Sequence, residues 1–395
     1  MRNFLSTATA AALLPLAFTL PVQAEDWDFS MAPGPVVTHE ASDTEIRLRG
    51  RVYYDVADID WSSPLTGAPT DDDEFRTARL GVQAERGPLK FVAEFDFASD
   101  DVKTNDLLVR YATEFGSFQF GYFKTMNSLE EQTSSRYGSF MERSMGTDLF
   151  GLGRRIGAAW FWSGSDFTVA AGLFGAPMDN NFAFRETDDS SAAALRVTWS
   201  REIDGNRIHL GGSWRGTEYD GGTRVRVYPQ AHLSNRFAAA DYRTGAALGE
   251  ADSSDYLGLE AAWIRGPFHV HSEISRLELD GPAGNPAFDT AFIEGGWFLT
   301  GESRGYKTSS GSFNRITPAA AISDGGPGAW QIVARLDHAD LGDAGLGDID
   351  SFSAGVNWHL ERHARLMLNY VTSEHSAPAY TETSDTVQMR LQLDF

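Results

Sequence analysis

The chain has 395 residues and a formal net charge of −22, which argues against a surface that binds nucleic acid. It contains no cysteine, which excludes thiol catalysis, cysteine-based zinc sites and a disulfide scaffold. Glycine is frequent, at 39 residues, and aromatic residues make up 12 %, a composition typical of barrels built from many short strands.

The first 24 residues have the pattern of a secretory signal peptide. Arg2 supplies the positive start, residues 8–20 form an apolar core, and Val22-Gln23-Ala24 is a small-x-small cleavage site. We therefore expect residues 1–24 to direct export and residues 25–43 to be an irregular periplasmic lead-in.

From residue 44 onward, apolar and polar side chains alternate with the period of a β-strand. In the first segment Ile46 and Leu48 point to one side, and Arg47, Arg49 and Arg51 point to the other. No stretch beyond residue 20 has eighteen consecutive apolar residues, which excludes a transmembrane helix in the exported chain. The chain is therefore predicted to be all-β.

Sixteen such segments lie between residues 44 and 395, if 223–233 belongs to a long excursion and not to the wall. They cover 46–55, 74–86, 89–97, 107–111 and 118–123, and then centre near residues 160, 170, 196, 211, 259, 272, 294, 335, 355, 368 and 388. An even number returns both chain ends to one side of a membrane, as in bacterial outer-membrane barrels. The connection at 303–328 fits this scheme less well, because it is long but falls on the side of the short turns.

Three features favour a membrane barrel over a soluble sandwich. Each segment has the length that crosses a bilayer at a tilt. Aromatic residues gather at segment ends, as in Trp160-Phe161-Trp162, where interfacial girdles lie. Short and long connections alternate along the chain, and the last strand ends on Phe395. The sequence thus predicts a 16-stranded antiparallel transmembrane β-barrel at residues 44–395, in the outer membrane of a Gram-negative bacterium.

One long segment, about 125–153, does not alternate and interrupts the regular strands. It begins beside Lys124 and carries Arg136 and Arg143 among three glutamates. Because loops of this length between regular strands are usually functional, we expect it to fold into the barrel mouth as a constriction loop. Its arginines either face the channel or anchor the loop to the wall through the glutamates.

Several arginines are expected on the inner face of the barrel. They are Arg47, Arg49, Arg51, Arg79, Arg110, Arg155 and Arg196, with Arg215, Arg335 and Arg390 further along. Such residues form a ladder that conducts anions if their charges are free. They brace the wall if they pair across strands with the acids Glu85, Glu94, Asp96, Glu260 and Asp394. Both interpretations remain open at this point.

The sequence offers no motif for a cofactor or for catalysis. His269 and His271 face the same way on one strand, but a metal site needs a third ligand that the sequence does not supply. There is no G-x-S-x-G nucleophile motif and no glycine-rich phosphate loop. We expect no catalytic residues, no bound metal and no cofactor.

Most of the exported chain resembles the phosphate-selective porins of the O and P type. The resemblance is carried by Gly121-Tyr122-Phe123-Lys124, Ser128-Leu129-Glu130-Glu131, Phe140-Met141-Glu142-Arg143-Ser144 and Gly153-Arg154-Arg155-Ile156-Gly157, and more weakly by 229–233, 266–268 and 298–303. It implies a homotrimer of sixteen-stranded barrels, in contact with the lipid bilayer and lipopolysaccharide, that passes small anions such as phosphate along arginines. Lys124, Arg136 and Arg143 would then belong to the constriction loop. The chain has only four lysines, unlike the best-known members.

The sequence is compatible with four functions. The first is a passive channel for small anions, possible solutes being phosphate or other oxyanions. The second is a general or cation-leaning porin of the same fold, suggested by the net charge of −22. The third function is that of an outer-membrane enzyme. The fourth is that of an adhesive barrel, which would bind its partner through residues 220–252.

Overall fold

A computed structural model of the chain describes residues 27–31, 34–65, 72–178, 190–282 and 284–395. The predicted signal peptide, residues 1–24, lies outside the described residues. The strands are β1 (Asp28–Ser30), β2 (Val36–His39), β3 (Thr44–Ser62), β4 (Asp72–Arg86), β5 (Leu89–Asp96), β6 (Lys103–Thr113), β7 (Gly116–Lys124), β8 (Arg154–Ser163), β9 (Phe167–Phe174), β10 (Ser191–Ile203), β11 (Asn206–Glu218), β12 (Gly222–Val227), β13 (Ala238–Arg243), β14 (Ser253–Arg265), β15 (Phe268–Asp280), β16 (Ala287–Phe298), β17 (Tyr306–Lys307), β18 (Ser312–Phe313), β19 (Ala329–Asp340), β20 (Asp348–Glu361), β21 (Ala364–Ala377) and β22 (Tyr380–Asp394).

Sixteen of these strands form one closed antiparallel wall. They are β3 to β11, β14 to β16 and β19 to β22, and each pairs with the next along the chain. The wall closes where β22 pairs with β3, from Thr383 opposite Ser62 to Asp394 opposite Arg51. The predicted sixteen-stranded antiparallel barrel is confirmed, and it leaves no open sheet edge along these paired stretches.

The alternation of the sequence appears directly as two faces of the wall. Along β19, buried and exposed residues alternate from Gln331 to Asp340. Ile332 and Leu336 point outward and are exposed, whereas Arg335 points inward and is buried. Because apolar side chains such as Ile332 and Leu336 point outward, polar side chains such as Arg335 are left on the inner face. The inner face therefore carries the polar chemistry of the protein.

The described part of the 25–43 stretch, residues 27–31 and 34–43, contains more regular structure than the sequence predicted. β1 pairs with β2, and β2 pairs with β3 from His39 opposite Thr44 to Val36 opposite Arg47. These pairings form because β3 is longer than the last strand, which reaches only to Arg51. The short strands cover an edge that would otherwise be left unpaired.

The segment between β7 and β8 contains two short helices, α1 (Leu129–Gln132) and α2 (Met145–Leu149). Single 3₁₀ turns occur elsewhere at Glu40–Ser42, Thr308–Ser310, Ile322–Asp324 and Gly342–Ala344. None of the helices among the described residues is long and apolar enough to span a membrane.

The excursion at 219–252 stays out of the wall, as the strand count required. Its strands β12 and β13 pair only with each other, as a separate hairpin. Val225 and Phe237 of the excursion join a buried apolar cluster that includes Trp61 and Phe288 of the wall and Phe150 of the 125–153 segment. The excursion therefore packs against the buried face of the barrel.

Gly121 on β7 occupies a position that only glycine fits. Its φ is +126°, and a Cβ there would lie 2.1 Å from the carbonyl oxygen of Leu107 on β6. We predict that Gly121→Ala lowers the free energy of unfolding by about 1–3 kcal/mol, measured by urea unfolding in detergent micelles. Gly87→Ala is the control, because Gly87 also has a positive φ but has open space around it. Equal losses in the two variants would contradict the steric argument.

Candidate functional site

The 125–153 segment crosses the barrel interior. It leaves the wall at β7, the fifth wall strand, yet its backbone bonds to side chains on the thirteenth to sixteenth wall strands. These bonds are Gln392 Nε2 to Arg136 O (3.1 Å), Arg365 Nη1 to Gly138 O (2.7 Å), Asn357 Nδ2 to Ser139 O (2.8 Å), Met141 N to Asn369 Oδ1 (2.9 Å), Arg390 Nη1 to Met141 O (2.7 Å) and Met145 N to Asp337 Oδ2 (2.9 Å). Buried polar side chains of the wall thus satisfy the backbone of an irregular segment.

Internal contacts fix the shape of this segment. Ser128 caps α1 by accepting a hydrogen bond from Glu131 N at 3.1 Å. Glu131 pairs with Lys124 at 2.9 Å and also with Arg143, which donates a second bond to Thr133 O at 2.8 Å. Lys124 and Arg143 therefore brace the segment, and the contacts of Arg143 lie within the segment itself.

A cluster of arginines lies where the tip of the segment meets the wall; we call it the Glu94 cluster. Glu94 on β5 is 1 % exposed and lies 3.2 Å from Arg51, 3.5 Å from Arg49, 3.7 Å from Arg79 and 3.7 Å from Arg136. Three of the arginines come from the neighbouring strands β3 and β4, and the fourth comes from the segment. One carboxylate is therefore shared by four guanidinium groups.

The Glu94 cluster carries an excess of positive charge. Arg79 has a second acid, Asp96, at 2.7 Å, and Arg51 donates to the Ser135 hydroxyl at 3.1 Å. The Nε and Nη2 atoms of Arg136 are buried and make no hydrogen bond to any described residue. Like charges facing one another on a sheet are destabilising unless an opposite charge is shared among them. Such a cluster can attract and coordinate a small anion.

The remaining predicted arginines have different partners. Arg47 pairs with Glu45 at 2.9 Å, and Arg110 donates to Gln119 at 2.8 Å. Arg155 donates to the carbonyl of Gly175 at 2.8 Å. These three are not part of the Glu94 cluster.

Arg196 braces the barrel. It pairs with Glu260 at 2.6 Å and donates to the carbonyls of Ser310 at 3.1 Å and Gly311 at 2.7 Å. Ser310 and Gly311 belong to the 299–328 connection, which is the long connection on the short-turn side. That connection therefore also folds against the buried face.

Arg390 holds the segment near its middle. Its guanidinium bonds both oxygens of Asp55, at 2.7 and 2.6 Å, and lies 3.1 Å from Glu142. Burial alone would raise the pKa of Glu142, but the charges of Arg76 and Arg390 outweigh it and hold this pKa at about 2. Glu142 is therefore ionised at neutral pH and ties the segment to the wall.

Sequence reasoning named Glu94 only as one of five possible bracing acids. Its shared role depends on contacts between residues far apart in the chain, which alternation does not reveal. His271 bonds Glu273 at 3.1 Å and His269 bonds Gln331 at 2.8 Å. Within the described ranges, no group of three or more His, Asp or Glu residues is arranged to hold a metal ion.

Comparison with known proteins gives a consistent result for family and fold. The family model for phosphate-selective porin O and P matches residues 46–395. Porin O of Pseudomonas aeruginosa is 25 % identical over 427 residues, covering 94 % of this chain and 93 % of the relative. An uncharacterised protein of Caulobacter vibrioides is 29 % identical over 376 residues, covering 90 % of this chain and 75 % of the relative.

Two solved structures have the same architecture. An anion-selective porin from Comamonas acidovorans aligns with a TM-score of 0.57 at 11 % identity, covering 89 % of this chain and all of that one. The trimer form of OmpT from Vibrio cholerae aligns with a TM-score of 0.53 at 14 % identity, covering 89 % and 99 %. At sequence identities of 11 % and 14 %, this structural similarity shows that the fold is shared.

Proposed function

Because the chain belongs to the phosphate-selective porin O and P family, we propose that it forms a water-filled, anion-selective channel across the outer membrane. The solutes are small anions, including oxyanions such as phosphate, which diffuse down their gradients. The Glu94 cluster is the selectivity site of this channel, and the 125–153 segment is its constriction loop.

The observation that carries the proposal is the sharing of Glu94 by four arginines. The guanidinium groups of Arg49, Arg51, Arg79 and Arg136 lie within 3.7 Å of this one carboxylate. Their remaining positive charge attracts anions and repels cations at the place where the constriction loop meets the wall. Arg is suited to this task, because its planar fork of donors matches the oxygens of an oxyanion.

Four of the predicted arginines are less suited to bind the anion directly, because they have other partners. They are Arg47, Arg110, Arg155 and Arg196. Arg196 is fully engaged with Glu260 and two backbone carbonyls. Lys124 and Arg143 are engaged with Glu131. We propose that Arg49, Arg51, Arg79 and Arg136 bind the anion and that these other cations supply long-range attraction or bracing.

A second candidate is a general or cation-leaning porin. The net charge of −22 favours it, because a strongly acidic molecule draws cations toward its mouths. The two candidates differ in the charge at the narrowest point of the channel, which decides the sign of selectivity.

The zero-current potential of the refolded protein in a planar bilayer separates these candidates. Under a potassium chloride gradient we expect a potential of anion-selective sign, and we expect added phosphate to reduce the chloride current. The variant Arg51→Gln should move the potential toward the cation-selective sign, because it removes one of the four charges around Glu94. Arg201→Gln is the control, because the Arg201 side chain is 60 % exposed and its contact with Asp166 is long, at 3.9 Å. A cation-selective potential in the unmodified protein would reject the proposal.

We also propose the molecular setting of the channel. Residues 1–24 act as a signal peptide for export, residues 25–43 lie at the periplasmic face, and 44–395 form the barrel in contact with lipid and lipopolysaccharide. The working unit is a homotrimer, which the trimer form of the structurally similar OmpT supports. Crosslinking of the native protein in outer-membrane vesicles tests the trimer.

A further inference from the structure

The 219–252 excursion spans the barrel mouth on the side of the long connections. It leaves the wall at β11 and returns at β14, the ninth and tenth wall strands. Its tip, residues 228–236, bonds to side chains on the thirteenth to sixteenth wall strands, and His232 pairs with Glu74 on β4, the second wall strand, at 2.6 Å. In a wall of sixteen strands the second lies opposite the tenth. The excursion therefore reaches from one side of the mouth to the other.

Gln230 lies at this tip in a backbone conformation that residues with a side chain rarely adopt. Its φ is +56°, in the left-handed region. Its side-chain amide is nevertheless engaged at both ends. Oε1 accepts hydrogen bonds from the hydroxyls of Ser351 at 3.0 Å and Ser353 at 3.2 Å, and Nε2 donates to Asp337. Backbone strain of this kind persists only where the surrounding contacts fix it, so it points to a function for Gln230.

Asp337 on β19 links the excursion to the 125–153 segment; we call this contact the Asp337 junction. Its Oδ2 atom accepts a hydrogen bond from Met145 N of the segment at 2.9 Å and a second one from Gln230 Nε2 of the excursion. Asp337 and Gln230 are each 4 % exposed, so water competes little for these bonds. One carboxylate oxygen thus receives donors from both interior segments.

The excursion also packs against helix α2 of the 125–153 segment. The helix contacts β12 of the excursion and β16 and β19 of the wall. Met145 and Leu149 share a buried apolar cluster with Val225 and Phe237 of the excursion. Residues 136–141, in contrast, bond to the wall directly. The helix is therefore held between the wall and the excursion.

We propose that the 219–252 excursion positions the constriction loop, and that Gln230 is the positioning residue, acting through the Asp337 junction. The inference rests on the proposed function of the 125–153 segment as the constriction loop. The bonds of Gln230 go to β19, β20 and β22, whereas the wall arginines of the Glu94 cluster lie on β3 and β4. Gln230 thus sets the width of the pore without taking part in the anion site.

Loss of the Gln230 side chain weakens the support of α2 on one side. Asp337 then keeps only the bond from Met145 N, and the hydroxyls of Ser351 and Ser353 no longer hold the tip of the excursion. The helix remains in contact with the wall but gains freedom toward the excursion. The narrowest part of the channel should therefore widen and fluctuate more.

Single-channel recording of refolded Gln230→Ala in a planar bilayer tests this role. In potassium chloride we expect the conductance of each channel to rise about twofold, because conductance increases with the cross-section of the narrowest point. The open-channel current noise should rise with it. A residue that served stability alone would lower the number of folded channels and leave the conductance of each channel unchanged.

Two further variants separate the bond from the backbone strain. Gln230→Gly loses the same side chain, but glycine adopts a positive φ without strain, so this variant replaces Gln230→Ala if the latter fails to fold. It should show the same rise in conductance. Asp337→Asn keeps an acceptor oxygen for both donors and should retain the conductance of the unmodified protein, whereas Asp337→Ala removes the acceptor and should raise it.

Tyr219→Phe is the matched control. The Tyr219 hydroxyl bonds the Ser254 hydroxyl on β14 at 2.7 Å, at the base of the excursion and away from the Asp337 junction. This variant loses one hydrogen bond of the excursion and should keep the conductance of the unmodified protein. A conductance that rises in neither Gln230 variant, or that rises equally in Tyr219→Phe, would overturn the proposal. A cation-selective zero-current potential would instead reject the anion channel, and the comparison of conductances would still test the role of Gln230.

Discussion

Glu94→Gln is expected to tighten sulfate binding in the channel by about tenfold, because it removes the one negative charge that the surrounding arginines share. Glu94 is the acid shared by Arg49, Arg51, Arg79 and Arg136. The glutamine keeps the shape of the side chain and removes its negative charge. The four guanidinium groups then lack a shared negative charge, so they attract an oxyanion more strongly to the space beside the amide.

The same substitution should make stability depend on the anion. Without sulfate, Glu94→Gln is less stable than the unmodified protein, because removing one partner leaves buried like charges uncompensated. With sulfate present, binding to the folded state restores stability by mass action. Urea unfolding in micelles, with and without sulfate, measures this difference.

Glu85→Gln is the matched control for this experiment. Glu85 lies on β4, is partly exposed and pairs with Lys90 at 2.7 Å, away from the Glu94 cluster. It should leave both sulfate affinity and sulfate-dependent stability unchanged. Weaker sulfate binding in Glu94→Gln than in this control would mean that Glu94 itself, and not the surplus of arginine, organises the anion site.

Alternation in the sequence predicted the wall but not the partners of its charges. It indicated that Arg47, Arg49 and Arg51 share one face, because a strand side chain changes face at every residue. It gave no information on distances across the barrel. Glu94 contacts Arg51, which is 43 residues away in the sequence, and Asn369 contacts Met141, which is 228 residues away. Pairing of β3, β4 and β5 brings Glu94 to Arg51, whereas Asn369 reaches Met141 because the 125–153 segment crosses to the last strands of the wall.

The outer end of β3 illustrates a second limit. There Ala57, Ile59 and Trp61 are buried on the inner face, whereas Asp58 and Asp60 are exposed on the outer face. This polarity is the reverse of the one expected for a membrane wall, so the sequence ended the first strand too early. The reversal arises because the 219–252 excursion packs against the inner face there, and its own sequence did not indicate that contact.

The interior connections were the hardest part of the site to predict. The 125–153 segment was recognisable, because it is long and lacks alternation. The 299–328 connection was noticed only as an exception to the turn pattern, yet it supplies Arg315 to Asp394 of the last strand and two carbonyls to Arg196. Irregular segments have no period, so their contacts follow from the shape of the cavity that they enter.

Arg390→Met is expected to destabilise the folded barrel by about 3–5 kcal/mol, because it breaks a buried ion pair and leaves an unpaired carboxylate. Arg390 is 2 % exposed and Asp55 is 3 % exposed. The methionine retains most of the side-chain volume but none of the donors. Urea unfolding in micelles, followed by tryptophan fluorescence, measures the loss.

The same variant should also widen the channel. Arg390 donates to the carbonyl of Met141 and pairs with Glu142, so its loss frees the middle of the 125–153 segment from the wall. We expect a single-channel chloride conductance clearly above that of the unmodified protein, with weaker anion selectivity. Arg201→Met, at an exposed position, should change neither property.

A double variant separates the loop tether from the buried charge. In Arg390→Met with Asp55→Leu, the unpaired carboxylate of Asp55 is gone, so most of the lost stability should return. The bond to the Met141 carbonyl is still absent, so the conductance should stay high. Recovery of both stability and conductance would mean that the charge of Asp55 alone displaced the loop. Recovery of neither would mean that Arg390 acts mainly through Glu142, the carboxylate that remains.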